Sequence, residues 1–289
     1  MKQSLFTGVC TALVTPFLNG EVNYPMFEQL LRRQMDAGIP AVVVCGTTGE
    51  SPTVTDAEKI KLFRCAVDYA GERMKIIAGT GCNDTRHTLK LSHAAAEAGV
   101  DGLLIVSPYY NKPTPAGLIA HYEAIADEVD LPIILYNVPG RTGSDMPVSV
   151  YQRLCQHPNI VGIKEASTDI TKITKILAAC GKRITVWTGN DEMITPTIAL
   201  GAKGVISVLS NLLPEATKVM TDAALSGDFT TAAAFQTELQ PLIEVLFSES
   251  NPIPIKEAMK LMGFDCGNCR LPLTDMTPEK RKKLLDLLQ

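Results

Sequence analysis

The segment PIILYNVPGRTGSDMPVSVYQRLCQHPNIVGIKEA, residues 132–166, decides the fold, because it holds two short apolar runs separated by a helix-length stretch. The runs PIILYNVP (132–139) and IVGIKEA (160–166) are continuously apolar rather than alternating, which is typical of parallel strands buried on both faces. Pro147 stands near the start of the intervening helix, where a missing N–H costs nothing. The segment therefore predicts one strand–helix–strand unit.

The same pattern recurs along the whole chain. Apolar runs are separated by helix-length segments at a spacing of roughly 20 to 35 residues, which suits a repeating strand–helix unit. Eight such units close a barrel, whereas a doubly wound open sheet usually has about five or six strands. We therefore predict an α/β fold, specifically a (β/α)8 TIM barrel. The six further runs are GVCTALVT (8–15), AVVVCGT (41–47), KIIAGTG (75–81), GLLIVSP (102–108), ITVWTGN (184–190) and GVISVLS (204–210).

Helix boundaries and the C-terminal region carry further signals. Thr55 and Glu58 have the spacing of a capping box, in which each side chain satisfies the other residue's backbone N–H. Helical patterns continue after the eighth strand without a Ser/Gly-rich linker. We predict a catalytic barrel domain over residues 1–224 and a helical C-terminal appendage over residues 225–289. Glycines that tolerate positive φ stand where helices should end, at Gly38, Gly71, Gly99, Gly181 and Gly201.

Composition excludes several classes of protein. With 46% hydrophobic residues the chain can bury a large core, and a net charge of −4 without any basic block argues against nucleic-acid binding. The single C-x-x-C pair, Cys266 and Cys269, is weak evidence for zinc or redox chemistry. Polar residues interrupt the N-terminal segment 1–17, and no run approaches the roughly 20 apolar residues that span a bilayer. We expect a cytoplasmic protein without a membrane segment.

In a barrel of this kind the active site lies at the carboxyl ends of the strands and in the loops that follow them. This rule reduces the chain to a few short segments with polar side chains. They are Gly46–Glu50 after the second strand, Pro108–Asn111 after the fourth, Tyr136–Pro139 and Arg141–Gly143 after the fifth, Lys164 and Glu165 ending the sixth, and Gly189–Asp191 after the seventh.

Lys164 ends an apolar run, so its side chain points either into the mouth of the barrel or into the layer between strands and helices. Burying a lysine is costly without a reason. One reason is imine formation, in which the amine attacks a carbonyl carbon. The alternative is an ion pair with Glu165 or with another carboxylate at the rim. Lys164 alone does not decide between them.

Three neighbouring features favour the imine. Tyr136 ends the preceding strand, and its phenol can transfer protons beside Lys164, although its OH can equally meet a backbone carbonyl. The turn 46–49 offers backbone N–H groups and two hydroxyls to a small carboxylate, although such turns are common. Arg141 suits a bidentate grip on a substrate carboxylate, although a single loop arginine is more often a solvated surface residue.

Other chemistries lack their residues. The sequence has no G-x-x-x-x-G-K-[ST] phosphate loop, no complete G-x-G-x-x-G, no H-E-x-x-H and no G-x-S-x-G. The histidines share no ligand spacing, so we expect them at the surface or on helix faces, with no metal bound. They are His87, His93, His121 and His157.

Six blocks make the chain similar to a known family. They resemble, in order and over nearly the whole chain, the signature blocks of the dihydrodipicolinate synthases, which belong to the pyruvate-dependent class I aldolases together with N-acetylneuraminate lyase. The paired Thr47-Thr48 and the Y-N-V-P-x-R-T pattern are the specific part, because the sialic-acid lyases usually differ at both. The blocks are GTTGES (46–51), SPYYNKP (107–113), LYNVPGRTG (135–143), GIKEAS (162–167), GVISV (204–208) and NPIPIKEAM (251–259).

The resemblance implies a lyase that condenses pyruvate with L-aspartate 4-semialdehyde to 4-hydroxy-tetrahydrodipicolinate, the first committed step of diaminopimelate and lysine biosynthesis. It implies no cofactor beyond an imine of pyruvate on Lys164. Proton transfer falls to Tyr136, linked through Thr48 to Tyr110. Tyr110 would reach in from a neighbouring subunit of a homo-oligomer, usually a dimer of dimers. The substrate-binding residues that the resemblance implies are Thr47 and Thr48 for the pyruvate carboxylate, Arg141 for the semialdehyde carboxylate, and Gly189 and Ile206 for backbone positions near the site.

The resemblance also implies a regulatory pocket, which lysine-inhibited members of the family carry near the helix after GTTGES. Asn83 and Tyr109 match that pocket, but His87 stands where an acidic residue would receive the amine of lysine, and Lys59 adds a second cation. Like charges disfavour binding. We therefore expect lysine to inhibit weakly or not at all. The residues of this possible pocket are Ser51, Asn83, His87 and Tyr109.

Two alternatives stay open from the residues alone. A sister aldolase that makes or cleaves a 2-keto acid sugar, such as N-acetylneuraminate lyase, would share Lys164 and Tyr136 but depend less on Arg141. An inert barrel that binds a metabolite or serves as a scaffold would form no imine.

Overall fold

The computed structural model describes residues 4–289, so the first three residues of the N-terminal segment considered above lie outside it. Within this range, eight parallel strands pair in sequence order, and the first closes on the last. The predicted (β/α)8 barrel is thereby confirmed. The strands are β1 (Gly8–Ala12), β2 (Ala41–Val44), β3 (Lys75–Gly79), β4 (Gly102–Val106), β5 (Ile133–Asn137), β6 (Ile160–Glu165), β7 (Thr185–Thr188) and β8 (Gly204–Ser207).

Helices follow the strands and cover the outside of the barrel. The predicted capping box opens α2: the Thr55 backbone N–H donates to the Glu58 carboxylate at 2.8 Å, and the Glu58 N–H donates to the Thr55 hydroxyl at 3.3 Å. All five glycines predicted at helix ends have positive φ. The helices are α1 (Tyr24–Asp36), α2 (Asp56–Ala70), α3 (Thr85–Glu97), α4 (Pro115–Glu128), α5 (Pro139–Thr142), α6 (Val148–Leu154), α7 (Ile170–Cys180), α8 (Ile194–Ala199), α9 (Pro214–Ser226), α10 (Phe229–Leu246), α11 (Ile253–Leu261) and α12 (Pro278–Leu288).

Alternation along the strands divides the core into two layers. On β5, Ile134 and Tyr136 face the barrel interior, whereas Ile133 and Leu135 pack under the helices. Trp187 fills the interior and stacks on Phe6, with ring centroids 4.5 Å apart. Because the interior is filled by side chains, room for a substrate exists only at the mouth of the barrel.

The C-terminal helices pack directly on the barrel. Met220 and Ala224 of α9 share a buried cluster with Val9 and Val205 of the barrel strands, and Ala232 of α10 joins the same cluster. The predicted division between residues 224 and 225 falls inside α9, two residues before its end. The helix that completes the last strand–helix unit therefore runs straight into the C-terminal appendage.

Two local features add to the sequence analysis. A short hairpin, Phe17–Leu18 paired with Glu21–Val22, follows β1, and its Asn19-Gly20 turn has positive φ at both residues, the geometry that Asn-Gly favours. The histidines were expected at the surface or on helix faces, and His121 is of the second kind, a residue of α4 that is buried. Its ring nitrogen lies 2.8 Å from the Thr85 hydroxyl, and burial lowers its pKa to about 4.

Cysteines and membrane segments can be described for residues 4–289. All eight cysteines are free thiols, and no group of three or more His, Cys, Asp or Glu side chains in this range is placed to hold a metal. None of the helices formed by these residues is long and apolar enough to cross a bilayer.

Candidate active site

Lys164 and Tyr136 lie side by side at the mouth of the barrel. Their Cα atoms are register partners on β6 and β5, so both side chains point to the same side of the sheet. The Lys164 Nζ lies 4.3 Å from the centroid of the Tyr136 ring. Each residue is only 5% exposed. The phenol is therefore placed to act on groups attached to the lysine.

Lys164 has no carboxylate counter-ion within the described chain, and the ion pair weighed as its alternative is not formed. Glu165 points to the opposite face of β6, where the Lys172 Nζ approaches it at 3.5 Å. A buried lysine without an ion pair needs another reason for its burial. Its amine lies against Tyr136, which lines a cavity, and an amine in this position suits nucleophilic attack on a carbonyl.

Glycine at position 189 leaves room for the Lys164 side chain. A Cβ on Gly189 would lie 2.7 Å from the Lys164 Cε and 2.8 Å from the Ala166 Cβ. The Gly189 N–H donates to the Glu165 carbonyl at 2.7 Å, which fixes the loop after β7. Ile206, the other backbone position expected near the site, is fully buried in the barrel interior.

The turn Gly46–Glu50 closes one side of the mouth. Cys45, which precedes the turn, and Glu50, its last residue, have φ of 56°, a left-handed conformation that is uncommon outside glycine. Thr47 lines the cavity, while Thr48 is 2% exposed and its hydroxyl accepts a hydrogen bond at 2.9 Å from Asn251. No acceptor for the backbone N–H groups of Thr47 and Thr48 is found among residues 4–289, so both are available to a small anion.

A cavity of about 560 Å³ joins the two sets of residues that the sequence analysis separated. Tyr136, Thr47 and Arg141 line one part of it, and the four residues of the possible regulatory pocket line another. Its volume falls in the range of small-molecule sites. That second group is Ser51, Asn83, His87 and Tyr109.

Arg141 sits on the short helix α5 with its guanidinium exposed at the cavity. Its Nη2 donates to the Asn251 carbonyl at 3.0 Å. This single anchor orients the side chain and leaves its other N–H donors for a substrate carboxylate.

His87 does not carry a free positive charge toward the cavity. Its Nε2 lies 2.9 Å from the Asp56 carboxylate, which Lys90 also contacts at 3.4 Å. His87, Lys90 and hydrogen bonds lower the pKa of Asp56 against the opposing effect of its burial. The part of the cavity that the possible regulatory residues line is thus bordered by an ion-pair cluster.

Tyr110 is an expected catalytic residue that this chain does not bring to its own site. It is 88% exposed and has φ of 71°. The neighbouring Tyr109 is half-buried and lines the cavity, and burial raises its pKa. Of the two tyrosines in the loop Pro108–Asn111, one therefore faces the cavity and the other faces solvent.

Sequence reasoning missed a buried polar network behind the strands. Glu165 accepts hydrogen bonds from the Asn137 amide at 2.9 Å, the Tyr151 hydroxyl at 3.0 Å and the Ser167 N–H at 3.0 Å. Lys172 is ion-paired with both Glu165 and Asp145. Asn137 and Glu165 each follow a predicted catalytic residue in sequence. Because successive strand residues point to opposite faces of a sheet, this spacing could have predicted that both face the helices behind the barrel. The network fixes the ends of β5 and β6.

The comparisons with known proteins agree along the whole chain. A sequence model of the dihydrodipicolinate synthetase family matches residues 5–289. The 4-hydroxy-tetrahydrodipicolinate synthase of Acetivibrio thermocellus is 44% identical over 285 residues, which cover 99% of this chain and 97% of the relative. The dihydrodipicolinate synthase structure from Aquifex aeolicus superposes with a TM-score of 0.96 at 45% identity, covering 98% of this chain and 97% of that one. The chloride-inhibited enzyme of Acinetobacter baumannii, solved in complex with pyruvate, has a TM-score of 0.96 and 41% identity, with 98% of this chain and 97% of that chain covered.

Proposed function

The chain belongs to the dihydrodipicolinate synthetase family, and we propose that Lys164 is the residue on which it binds pyruvate as an imine. It is a lyase that condenses pyruvate with L-aspartate 4-semialdehyde to 4-hydroxy-tetrahydrodipicolinate, in the synthesis of diaminopimelate and lysine. The family's reaction needs no cofactor beyond the imine. One observation supports the assignment to Lys164: its amine is buried without an ion pair and lies against Tyr136, a residue that lines the cavity.

The chemistry divides into steps that the residues at the barrel mouth can serve. The Lys164 Nζ attacks the ketone carbon of pyruvate, and loss of water gives the imine. Removal of a proton from the methyl carbon gives an enamine, which attacks the aldehyde carbon of the semialdehyde. The amino group of that substrate then attacks the imine carbon, closes the ring and releases the lysine amine.

Tyr136 is the proposed proton donor and acceptor for these steps. Its ring lies against the lysine, so a phenol stands beside the amine that would carry the imine. The buried Thr48 hydroxyl is proposed to carry protons onward from it. The backbone N–H groups of Thr47 and Thr48 are proposed to bind the pyruvate carboxylate.

Tyr110 is proposed to act in the site of a second subunit. Its side chain is 88% exposed and its backbone has a left-handed conformation. The phenol does not line the cavity of its own chain. A homo-oligomer, built as a dimer of dimers, would bury this phenol against the partner's site and complete the relay from Tyr136 through Thr48. Sedimentation of the purified protein together with assay of Tyr110→Phe tests this assignment.

Arg141 is proposed to receive the carboxylate of the semialdehyde. Loss of a charge-assisted hydrogen-bond pair in Arg141→Ala should raise KM for the semialdehyde by about ten- to a hundredfold, while KM for pyruvate changes little. An enzyme acting on a sugar acid would depend less on this arginine. None of the relatives compared above is a sugar-acid lyase.

Regulation by lysine is proposed to be weak or absent. An effector with a free ammonium would meet Lys59 and the His87–Asp56 pair, where a carboxylate without a partner would be needed. Initial rates with L-lysine added test this proposal. Half-inhibition below about 1 mM, the order of an ordinary metabolite affinity, would contradict it.

The deciding experiment treats the protein with pyruvate and borohydride and maps the modified peptide. A reduced adduct on Lys164, together with turnover in an assay coupled to the reductase that consumes the product with NADPH, supports the proposal. An adduct without turnover would point to a sister aldolase. Absence of any adduct would overturn the lysine assignment.

A further inference from the structure

Lys59, on helix α2, is one of four buried lysines among residues 4–289. Lys172 and Lys256 each form an ion pair with a carboxylate, and Lys164 has its place in the proposed reaction. Lys59 is 7% exposed, and its ammonium has no hydrogen bond or ion pair within the described chain. A buried charge without a partner is costly, so its position indicates a ligand that the chain itself does not supply.

The carboxylates around Lys59 are engaged elsewhere. Glu58, its neighbour in sequence, is ion-paired with Arg270 at 2.5 Å. Asp56 is ion-paired with a histidine and a second lysine. Asp84 lines the same cavity as Lys59, but it caps α3 by accepting hydrogen bonds from two backbone N–H groups. None of these carboxylates therefore neutralises Lys59 through a direct contact.

The thiol of Cys45 does not supply the missing negative charge either. Burial raises the pKa of Cys45 to about 12, although the positive charge of Lys59 acts in the opposite direction. At neutral pH the thiol is therefore protonated and uncharged. The ammonium of Lys59 is left to an anion from solution.

Lys59 lines the cavity of about 560 Å³ together with neutral hydrogen-bonding side chains. Its Nζ is not among the fully enclosed polar atoms that lack a partner, so the ammonium reaches accessible space. The side chains of Ser51, Asn83 and Tyr109 line the same cavity and have no hydrogen-bond partner among residues 4–289. Burial raises the pKa of Tyr109, which keeps its phenol a neutral donor. An ammonium, an amide and hydroxyls are the donors that suit a carboxylate, which can only accept.

We propose that Lys59 is the cation of a binding site for a small carboxylate that carries no ammonium group, with Ser51, Asn83 and Tyr109 as neutral donors. Lys59 repels an ammonium on the ligand, so the site selects against amino acids. This selection agrees with the weak inhibition by lysine proposed above. Binding at Lys59 does not require that Lys164 form an imine.

Trifluoroacetate is a suitable probe, because it is a small carboxylate with neither an ammonium group nor a ketone that could form an imine. Fluorine NMR of the probe, titrated with the intact protein at constant ionic strength, measures its Kd. We expect saturable binding that Lys59→Met weakens by about tenfold or more, the effect of one lost hydrogen bond to a charged group. Lys61→Met makes the same change at an exposed position of the same helix and should bind like the parent.

Two further variants separate this site from the rest of the cavity and from effects on folding. Lys59→Arg keeps the positive charge and should retain binding, whereas Arg141→Ala removes the other cation that lines the cavity without an ion pair and should also retain it. The melting temperature of Lys59→Met should not fall, because no ion pair is lost. Equal Kd values for the parent and Lys59→Met would overturn the proposal. Loss of binding in Arg141→Ala alone, or no saturable binding to the parent, would overturn it as well.

Acetate and glycine test the selectivity of the site, because they differ by the ammonium group that Lys59 is proposed to repel. Acetate should displace trifluoroacetate at a concentration about tenfold lower than glycine. Equal displacement by the two would overturn the proposed ligand class. Borohydride trapping of pyruvate on the parent enzyme is scored separately and does not enter these titrations. Failure of the imine assignment and failure of the Lys59 assignment therefore give different results.

Discussion

Two lysines on opposite faces of the same barrel wall have opposite surroundings. Lys164, on the inner face at the end of β6, has an aromatic ring beside it and no carboxylate partner among the described residues. Lys172, in the layer between β6 and the helices, is ion-paired with Glu165 and Asp145. Both residues are buried to a similar degree. The difference teaches that burial alone does not distinguish the proposed imine-forming lysine from a structural one, whereas the absence of an ion pair does.

The outer layer also explains how the inner face is kept in place. Asn137 and Glu165 follow Tyr136 and Lys164 in sequence and point the other way. Their hydrogen bonds join the ends of β5 and β6 directly behind the two inner side chains. A satisfied buried network is rigid, and losing one member leaves another unsatisfied. The outer layer is therefore expected to govern stability and the inner face to govern chemistry.

The largest expected effect comes from removing the inner lysine. Lys164→Ala should lower kcat/KM by roughly a thousandfold or more, because no other amine remains to form the imine. Mass spectrometry after borohydride treatment with pyruvate should detect no adduct. Lys172→Met is the matched control: it should lower the free energy of unfolding but keep the adduct. An adduct in the first variant, or none in the second, would reverse the roles of the two faces.

The next largest effect is expected from the tyrosine pair. Tyr136→Phe removes the phenol beside Lys164 and should lower kcat by about a hundredfold, the lower end of general acid–base contributions. Tyr151→Phe removes a buried phenol of the outer layer that donates to Glu165, and kcat should change by less than about threefold. Urea unfolding of both variants checks the other half of the comparison, since only Tyr151→Phe should be clearly destabilised. Equal losses of kcat would contradict the division.

Glu165→Gln should affect stability more than rate. The change keeps the shape and one acceptor but removes the negative charge that Lys172 meets, leaving that lysine with Asp145 alone. We expect a loss of about 2 kcal/mol in the free energy of unfolding, below the cost of breaking a wholly buried pair. Chemical denaturation measures this loss, and kcat should fall by less than about fivefold. A larger fall in kcat with unchanged stability would place Glu165 in the chemistry.

The sequence predicted the barrel well because each strand carries its own signal. Continuous apolar runs and glycine turns are local properties, and all eight strands lie within the quoted runs. The alternation rule also placed Lys164 in one of two positions, but only the structure showed that it faces the barrel mouth and that no carboxylate among residues 4–289 forms an ion pair with it. The outer network was missed because Tyr151 and Lys172 come from helices whose packing no local pattern states. The contact between Asn251 and Thr48 joins residues that are distant in sequence, and only a resemblance pointed to that block. The cytoplasmic location and the domain boundary stay predictions.

The smallest effect is expected from Asp191, a buried carboxyl on the inner side with no ion-pair partner among residues 4–289. Burial raises its pKa, although its carboxylate accepts from the Val208 N–H at 2.9 Å and the Leu209 N–H at 3.0 Å. Because the folded protein holds this proton more tightly, the free energy of unfolding should decrease as pH rises above the ordinary pKa of 3.8. Asp191→Asn removes that decrease, so its unfolding free energy relative to the parent should rise with pH.

The opposite pH dependence of stability is expected at Asp228, the exposed residue that caps the N-terminus of α10. Hydrogen bonds from Thr231 lower its pKa, so its ionised form stabilises the folded state above the ordinary pKa of an aspartate. Asp228→Asn should therefore become less stable than the parent as pH rises, whereas Asp191→Asn should become more stable. Denaturation at several pH values measures both differences. If the unfolding free energies of both variants, relative to the parent, change in the same direction with pH, the folded protein stabilises the ionised form of Asp191. The contrast between the inner face, whose charged groups lack ion-pair partners, and the ion-paired outer layer then fails at this residue.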